Sequence, residues 1–343
     1  MKLKWFFFIA LAISSHYSSA AERTYLDLSL EQLADYDIYS PPVLQSHIHW
    51  AGELMVAYHY SQKRMDGMGS AESTLSTRDV FNEYSYMVTP TAMDMDMHML
   101  HFMYAVSDQT TYMLRMHHMA MEMDHETRMG GEFTTQSEGL GDVAISMNHQ
   151  VNQWAGDEGN LRPFVHASLL LPTGNIDVKD TTPMSGGSQI QLPYGMQLGS
   201  GSYQARLGLG FDKLTDKASL GALLMAKGAL DKNDAGYRVA PEVKLDAWYQ
   251  RGLSSNFSAG LSGILTWRGD IAGRDSRLNP NLVPTADTDN YGGQWAELGA
   301  SVSYLIDGTY RVGMTASLPV WQDLNGLQLR KKSAIELMLE LTL

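Results

Sequence analysis

The chain has 343 residues, no cysteine, 31 glycines and a formal charge of −13. The acidic balance argues against nucleic acid as a partner, and without cysteine no disulfide can staple the fold.

The first twenty residues read as a secretory signal. Lys2 and Lys4 form a basic start, Trp5 to Ile13 a short apolar core, and Ser18-Ser19-Ala20 a small-residue cleavage site. Removing this segment takes away two lysines and no acid, which lowers the formal charge from −13 to about −15. Its apolar stretch is too short to span a bilayer as a helix, and no later segment has ~18 uninterrupted apolar residues. Residues 21–46 read as a periplasmic lead, with Asp27 to Leu33 as a short capped helix or an extended stretch.

Residues 47–343 read as one outer-membrane barrel. Segments of about ten residues alternate apolar and polar side chains, which is the period of a strand with two different faces. The predicted strands are 49–60, 95–106, 111–122, 140–151, 161–171, 202–211, 217–228, 238–250, 256–268, 294–305, 309–319 and 334–343. Segment 80–88 also reads as a strand, and including it would take the count from twelve towards fourteen. Tyr203, Ala205, Leu207, Leu209 and Phe211 form one such apolar row. Tyr310, Val312, Met314, Ala316 and Leu318 form another, and the final row is Ile335, Leu337, Leu339, Leu341 and Leu343. Aromatic residues tend to end these rows, where an interfacial girdle belongs. Short connections at 107–110, 212–216 and 306–308 alternate with long ones at 61–77, 123–138, 172–200 and 269–291. Short periplasmic turns and long outer loops are the expected asymmetry. A soluble β-sandwich also alternates, but with shorter strands and fewer interfacial aromatics.

The run Met93-Asp94-Met95-Asp96-Met97-His98-Met99-Leu100-His101-Phe102-Met103 stands out. Sixteen of the 22 methionines lie between Met55 and Met147, and ten of the 11 histidines between His47 and His166. Leu100, Phe102, Tyr104 and Val106 form a row suited to lipid, so Met95, Met97, Met99, His101 and Met103 face the lumen. On the next strand Tyr112, Leu114, Met116 and Ala120 match the lipid row, with His118 as a misfit. Met113, Arg115, His117, Met119, Met121 and Met123 then face the lumen, because Arg115 would be costly in lipid. Strand 49–60 adds His49, Glu53, Met55 and His59 on its polar side. The expectation is a Met/His-lined sector about three strands wide, with Met97 and Met99 opposite or diagonal to Met119, Met121 and His117.

Three readings of that sector compete. Thioethers and imidazoles suit soft metal ions, Cu(I) or Ag(I). Methionine is also a flexible filler of irregular interiors, and an adaptable lining for an organic permeant. Asp94 and Asp96 would attract a cation at the mouth, or are solvated loop carboxylates. Met147 and His149 share a face with Val143 and Ile145 and read as outer wall, whereas His166 is a further lumen candidate. No GxSxG, HExxH, Walker-type or Rossmann fingerprint is present, so an enzyme is a distant third to a metal-ion path and an organic-solute channel.

At particular residues the chain resembles a known family, the bacterial outer-membrane proteins grouped under the meta-pathway of phenol degradation. The matching segments are Ala51-Gly52-Glu53-Leu54-Met55, Met93 to Tyr104, Ser107-Asp108, Met123-Asp124-His125 and Gly139-Leu140-Gly141-Asp142. They continue with Leu171-Pro172-Thr173-Gly174, Leu198-Gly199-Ser200-Gly201 and Gln322-Asp323-Leu324-Asn325-Gly326. The Gly-Leu-Gly-Asp segment is common among barrels; the Met-rich run with Gln-Asp-Leu-Asn-Gly is more specific. The resemblance implies a barrel with a transport-like role and no particular substrate. The partners expected are outer-membrane lipid, the barrel insertion machinery and a small solute or metal ion, with no firm cofactor beyond Cu(I) or Ag(I) as candidates.

Overall fold

The computed structural model describes residues 46, 48–152, 154–156, 159–215 and 217–343. The signal segment and nearly all of the periplasmic lead lie outside the described residues. The described chain forms a closed antiparallel barrel, the one strand architecture that leaves no unpaired backbone in lipid.

The wall is built from β1 (Leu54–Ala71), β2 (Val88–Ser107), β3 (Thr110–Thr127), β4 (Glu132–Leu140), β5 (Val143–Gln150), β6 (Gly159–Leu171), β7 (Gln204–Leu214), β8 (Ala218–Ala229), β9 (Glu242–Gly252), β10 (Phe257–Arg268), β11 (Gly293–Ile306) and β12 (Tyr310–Thr342). β4 and β5 occupy one wall position, pairing successive stretches of β3. Counting β12 once, eleven hydrogen-bonded positions therefore close the ring, with β7 pairing β6.

β12 is too long for one crossing. A strand of its 33 residues would be ~110 Å long, several times the ~25 Å apolar band of such barrels. It folds back at Asn325-Gly326, where Gly326 has φ +64°. Arg311 reaches Glu340 across the two arms, and Thr342 N donates to Thr309 O at 3.1 Å. The first arm pairs β11 and the second pairs β1, so the chain crosses the wall twelve times. The ends agree. Leu54 N donates to Leu343 O at 3.0 Å and Leu343 N to Leu54 O at 2.8 Å, so first and last strands meet at one rim. An even number of crossings requires this.

The alternating rows fall where expected. Leu207 and Leu209 are 64% and 67% exposed, and their counterparts along the other strands are exposed too, so the apolar rows face lipid. Tyr104, Tyr112, Phe211, Tyr249, Tyr304 and Tyr310 ring the short-turn rim with exposed aromatic surface. His118 belongs to the outward row. It pairs His98, and both lie beyond the apolar belt, with His118 at 3.6 Å from Glu138 and Tyr58 Oη at 2.7 Å from His98.

Four sequence expectations are corrected. Segment 80–88 is not a strand: Thr77–Tyr84 is a helix, α1, started by a capping box between Ser76 and Asp79. The stretch 61–71 is no loop, since β1 runs on to Ala71. The stretch 123–138 shrinks to a tip at 128–131, because β3 and β4 continue pairing to Glu126↔Glu132. The ladders outlast the hydrophobic belt, and above it outward positions become Gln62, Arg64 and Asp66. Asp94 and Asp96 sit on this outward face, bound to Arg64 at 2.7 Å and to Tyr60 Oη, and do not line the mouth.

Long connections at 172–200 and 269–291 are present, and they turn inward. Leu192, Met196 and Leu198 of the first are buried against Met93, Met119, Met121 and Met123 of the wall. At the other end Ile48 packs on Phe164, Leu223, Met225 and Trp248, all inward residues. The lumen is thus narrowed at both rims.

Candidate functional site

The Met/His sector is three strands wide, as the sequence implies. Reading upward from the short-turn rim, β2 and β3 place Met103 opposite Met113, His101 opposite Arg115, Met99 opposite His117, Met97 opposite Met119, Met95 opposite Met121 and Met93 opposite Met123. β1 sets Met55 against Met103, His59 against Met99 and Lys63 against Met95. A bare two-residue turn would give adjacent strands opposite parity. A bulge between Ala105 and Ser107 restores it, so both rows face inward.

The sector divides into three levels. Met55, Met103 and Met113 pack together with Ala57 near the short-turn rim. Met119, Met121 and Met123, with Met95 and Met97 beside them, pack against Leu192, Met196 and Leu198 of the inward loop. The imidazoles lie between. His59 and His101 have ring centroids 5.1 Å apart. His59 Nδ1 lies 2.7 Å from Glu336 Oε1, while His59 Nε2 and both ring nitrogens of His101 are buried with no hydrogen-bond partner. His166 also faces inward, with Nδ1 at 2.7 Å from Asn148 Oδ1. His49 and Glu53 leave the strand altogether and pair with each other at 2.8 Å in the turn before β1. Among the described residues, no group of three or more His, Cys, Asp or Glu is arranged to hold a metal ion.

Three short motifs meet at the base of the 172–200 loop. Gly139-Leu140-Gly141-Asp142 is the break between β4 and β5. There Gly141 N donates to His117 O at 2.9 Å, and a Cβ on Gly141 would sit 1.9 Å from His117 Nε2. Glycine at 141 is what leaves room for the His117 ring. Asp142 then accepts from Gly174 N at 2.9 Å, Ser200 N at 2.9 Å and Ser200 Oγ at 2.6 Å. Gly174 belongs to Leu-Pro-Thr-Gly and Ser200 to Leu-Gly-Ser-Gly, the first and last segments of the loop. One buried carboxylate therefore clamps both ends of the loop to the wall.

The second inward loop is tied by the Gln-Asp-Leu-Asn-Gly turn. Leu327 N donates to Asn290 Oδ1 at 2.9 Å, and Asp270 Oδ1 accepts from Gly292 N at 2.9 Å and Asn325 Nδ2 at 3.3 Å. The loops also hold each other. Arg277 spans Asp275, at 2.6 Å, and Asp177. Asp275 N donates to Tyr194 Oη at 2.9 Å.

Hydrogen bonds from Lys179 and Arg277 hold the Asp177 carboxyl, the first loop's side of the tie, below its ordinary range, as the Arg277 hydrogen bonds hold Asp275. A depressed carboxylate stabilises the fold above its unfolded pKa and loses that contribution as pH falls through the folded value. The loop–loop tie is therefore expected to persist from neutral pH down through the ordinary carboxylate range near ~4 and to weaken only below it. Single-channel current recorded during stepwise acidification checks this: openings should widen below that range, and widening already at about pH 6, far above the ordinary carboxylate range, would contradict it.

Between the loops and the wall lies a cavity of 380 Å³. Its wall side carries Arg115, His117, Arg206, Lys227 and Arg268, its loop side Tyr194, Leu198, Ile271 and Tyr291, and the 230–241 connection between β8 and β9 adds Tyr237. Tyr194 packs edge-on to Tyr237 at 4.8 Å and to Tyr291 at 5.7 Å. Burial pushes the Tyr237 hydroxyl up to about 12, so this ring is neutral aromatic surface at any physiological pH. Of these residues only His117 is marked out in the sequence by soft-ligand chemistry, and Arg115 serves there only to orient its strand. Lys227 and Arg268 carry a legible signal of their own, as charged residues breaking otherwise uncharged strand rows on the inward parity, and Arg206 shares its inward row with Asp212.

No family model matches the chain, and no curated protein does. Among solved structures it is similar to the COG4313 outer membrane channel from Pseudomonas putida F1, with a TM-score of 0.59 at 12% identity over 90% of this chain and 98% of that one. The transport unit of the autotransporter AIDA-I from Escherichia coli and the NanC porin align with TM-scores of 0.43 and 0.41, both at 8% identity, over 90% and 82% of this chain and 95% and 98% of theirs. At these identities the first likeness extends to fold alone, an outer-membrane barrel, and the other two add no argument.

Proposed function

We propose that the protein is an outer-membrane channel that passes a small organic solute along a lumen walled by the Met/His sector. The observation that carries the reading is the cavity between the two clamped inward loops and the wall. It combines a few convergent polar groups with aromatic and aliphatic surface, the make-up of a small-molecule site. The methionines fit this reading as adaptable apolar lining, since the upper ones pack on Leu192, Met196 and Leu198. Purified protein in liposomes tests it. Iso-osmotic swelling with small solutes should proceed faster than in protein-free liposomes, and equal rates would end the channel reading. The chemistry is passage, with no reaction assigned.

One observation favours a second reading, retention of Cu(I) or Ag(I). His59 and His101 present three buried ring nitrogens without a hydrogen bond beside Met55, Met99 and Met103, with His59 Nε2 lying 4.0 Å from Glu340 Oε1. Imidazole and thioether donors together suit a soft monovalent ion. Met95, Met97, His117, Met119, Met121, Met123 and Met113 would then form the approach above and below. The measurement is a Cu(I) titration against a competing chelator. Changing His101 and Met99 to Leu should weaken binding by about tenfold or more. Changing Met97 and Met119 instead should cost less, because their side chains are already engaged by the loop. Equal affinity in all three proteins would remove the soft-metal reading.

A further inference from the structure

The charge inside the lumen runs against the charge of the chain. Arg115 from β3, Arg206 from β7, Lys227 from β8 and Arg268 from β10 converge on one cavity. Glu242 is the carboxylate that answers two of them, at 2.7 Å from Arg268 and 3.6 Å from Lys227. Asp142 also lines the cavity, but its oxygens are already taken by the three donors of the loop base. Arg115 and Arg206 have no carboxylate within ion-pair distance among the described residues, and Arg115 Nε is buried with no hydrogen-bond partner. Both guanidiniums line the same cavity.

The opposite side of the cavity is apolar in effect. Tyr291 Oη donates to Thr285 O at 2.6 Å and accepts from Gly195 N at 3.1 Å, and Tyr194 Oη accepts from Asp275 N. With those hydroxyls engaged, the tyrosines offer ring faces and edges beside Leu198 and Ile271. A cation entering here would meet the two guanidiniums of Arg115 and Arg206, which no carboxylate pairs among the described residues, beside two cations already paired to Glu242. A small inorganic anion would satisfy the guanidiniums and leave the ring surface wet. A carboxylate on an apolar body satisfies both sides, because a guanidinium fork matches a carboxylate and the rings cover the remainder.

We propose that this cavity is an anion subsite selecting small organic carboxylates that carry an aromatic or aliphatic body. The inference rests on the channel reading for its physiological meaning and supplies the substrate class for it.

The test is calorimetric titration of the full-length barrel in detergent with benzoate, benzyl alcohol and benzylamine. Benzoate is expected to bind about tenfold or more tighter than benzyl alcohol, and benzylamine not at all, as befits a desolvated charge pair. Arg115→Gln with Arg206→Gln should abolish the preference for benzoate, with heat-modifiable gel migration confirming that the variant is folded. The three-probe comparison on the unaltered protein stands even if that variant fails to fold. Equal binding of benzoate and benzyl alcohol, or an unchanged preference in the folded variant, would overturn the subsite. Reversal potential across a KCl gradient separates the two claims: a protein without current sinks the channel reading while the titration still decides the subsite, and current carried mainly by K⁺ argues against the subsite.

Discussion

Replacing Asp142 with alanine is expected to raise single-channel conductance several-fold while the barrel stays folded. Asp142 is 7% exposed and accepts three hydrogen bonds, two from backbone N–H groups and one from a hydroxyl, at the two ends of the 172–200 loop. Hydrogen bonds to a charged group contribute roughly 1.5–3 kcal/mol each, and all three are lost together when the carboxylate goes. The wall itself does not depend on the clamp, since β5 pairs β3 and β6 through their own backbones. The loss should therefore fall on the loop, freeing Leu192, Met196 and Leu198 from the methionine wall. Asp142→Asn keeps one acceptor and should give a smaller rise. Conductance equal to that of the unaltered protein in both variants would mean that the loop is held by its apolar contacts alone.

Replacing Glu340 with glutamine is expected to destabilise the barrel by about 3–5 kcal/mol, the usual cost of stranding one partner of a buried ion pair. Arg311 and Glu340 join the two arms of β12 inside the short-turn rim, with 7% and 3% of their side chains exposed. The pair sits beside the seam where the chain's last strand meets its first, so the effect should reach barrel closure. The double change Arg311→Met with Glu340→Leu removes both charges and should restore most of the loss. Urea unfolding in lipid, read by the gel shift between folded and unfolded forms, checks the order: Glu340→Gln least stable, double variant intermediate or better. A single variant as stable as the parent would show the pair to be solvated.

Most of the wall is legible in the sequence because lipid is an exacting solvent. Leu207, Leu209 and Phe211 have to face out and Arg206 has to face in, so parity alone fixes the strand. The same rule places Met95 to Met103 inward. It stops working where the lipid stops. Above the belt, β1 continues through Gln62, Lys63 and Arg64 with no apolar alternation to betray it, and what holds it is pairing with β2 and β12. α1 reads as a strand because Val80 and Phe81 look strand-like, although Ser76 and Asp79 carry the capping signal three residues apart. The inward course of 172–200 is hidden for a different reason. Its anchors are glycines, a serine and a single aspartate in segments far apart along the chain, and they become a clamp only once β5 and β6 are paired. For the same reason the methionine run looks like a ligand set, while Met119, Met121 and Met123 are the wall on which a loop rests.

Because the chain contains no cysteine, a single introduced one reports its surroundings without interference. Arg206→Cys and Leu207→Cys differ by one residue on β7 and by opposite sides of the wall. Single-channel current recorded while a charged thiosulfonate reagent is added is the most direct test that β7 borders a conducting lumen. The expected result is steady current in both proteins and a stepwise reduction for Arg206→Cys alone. No current in either, or equal sensitivity at the two positions, would contradict it.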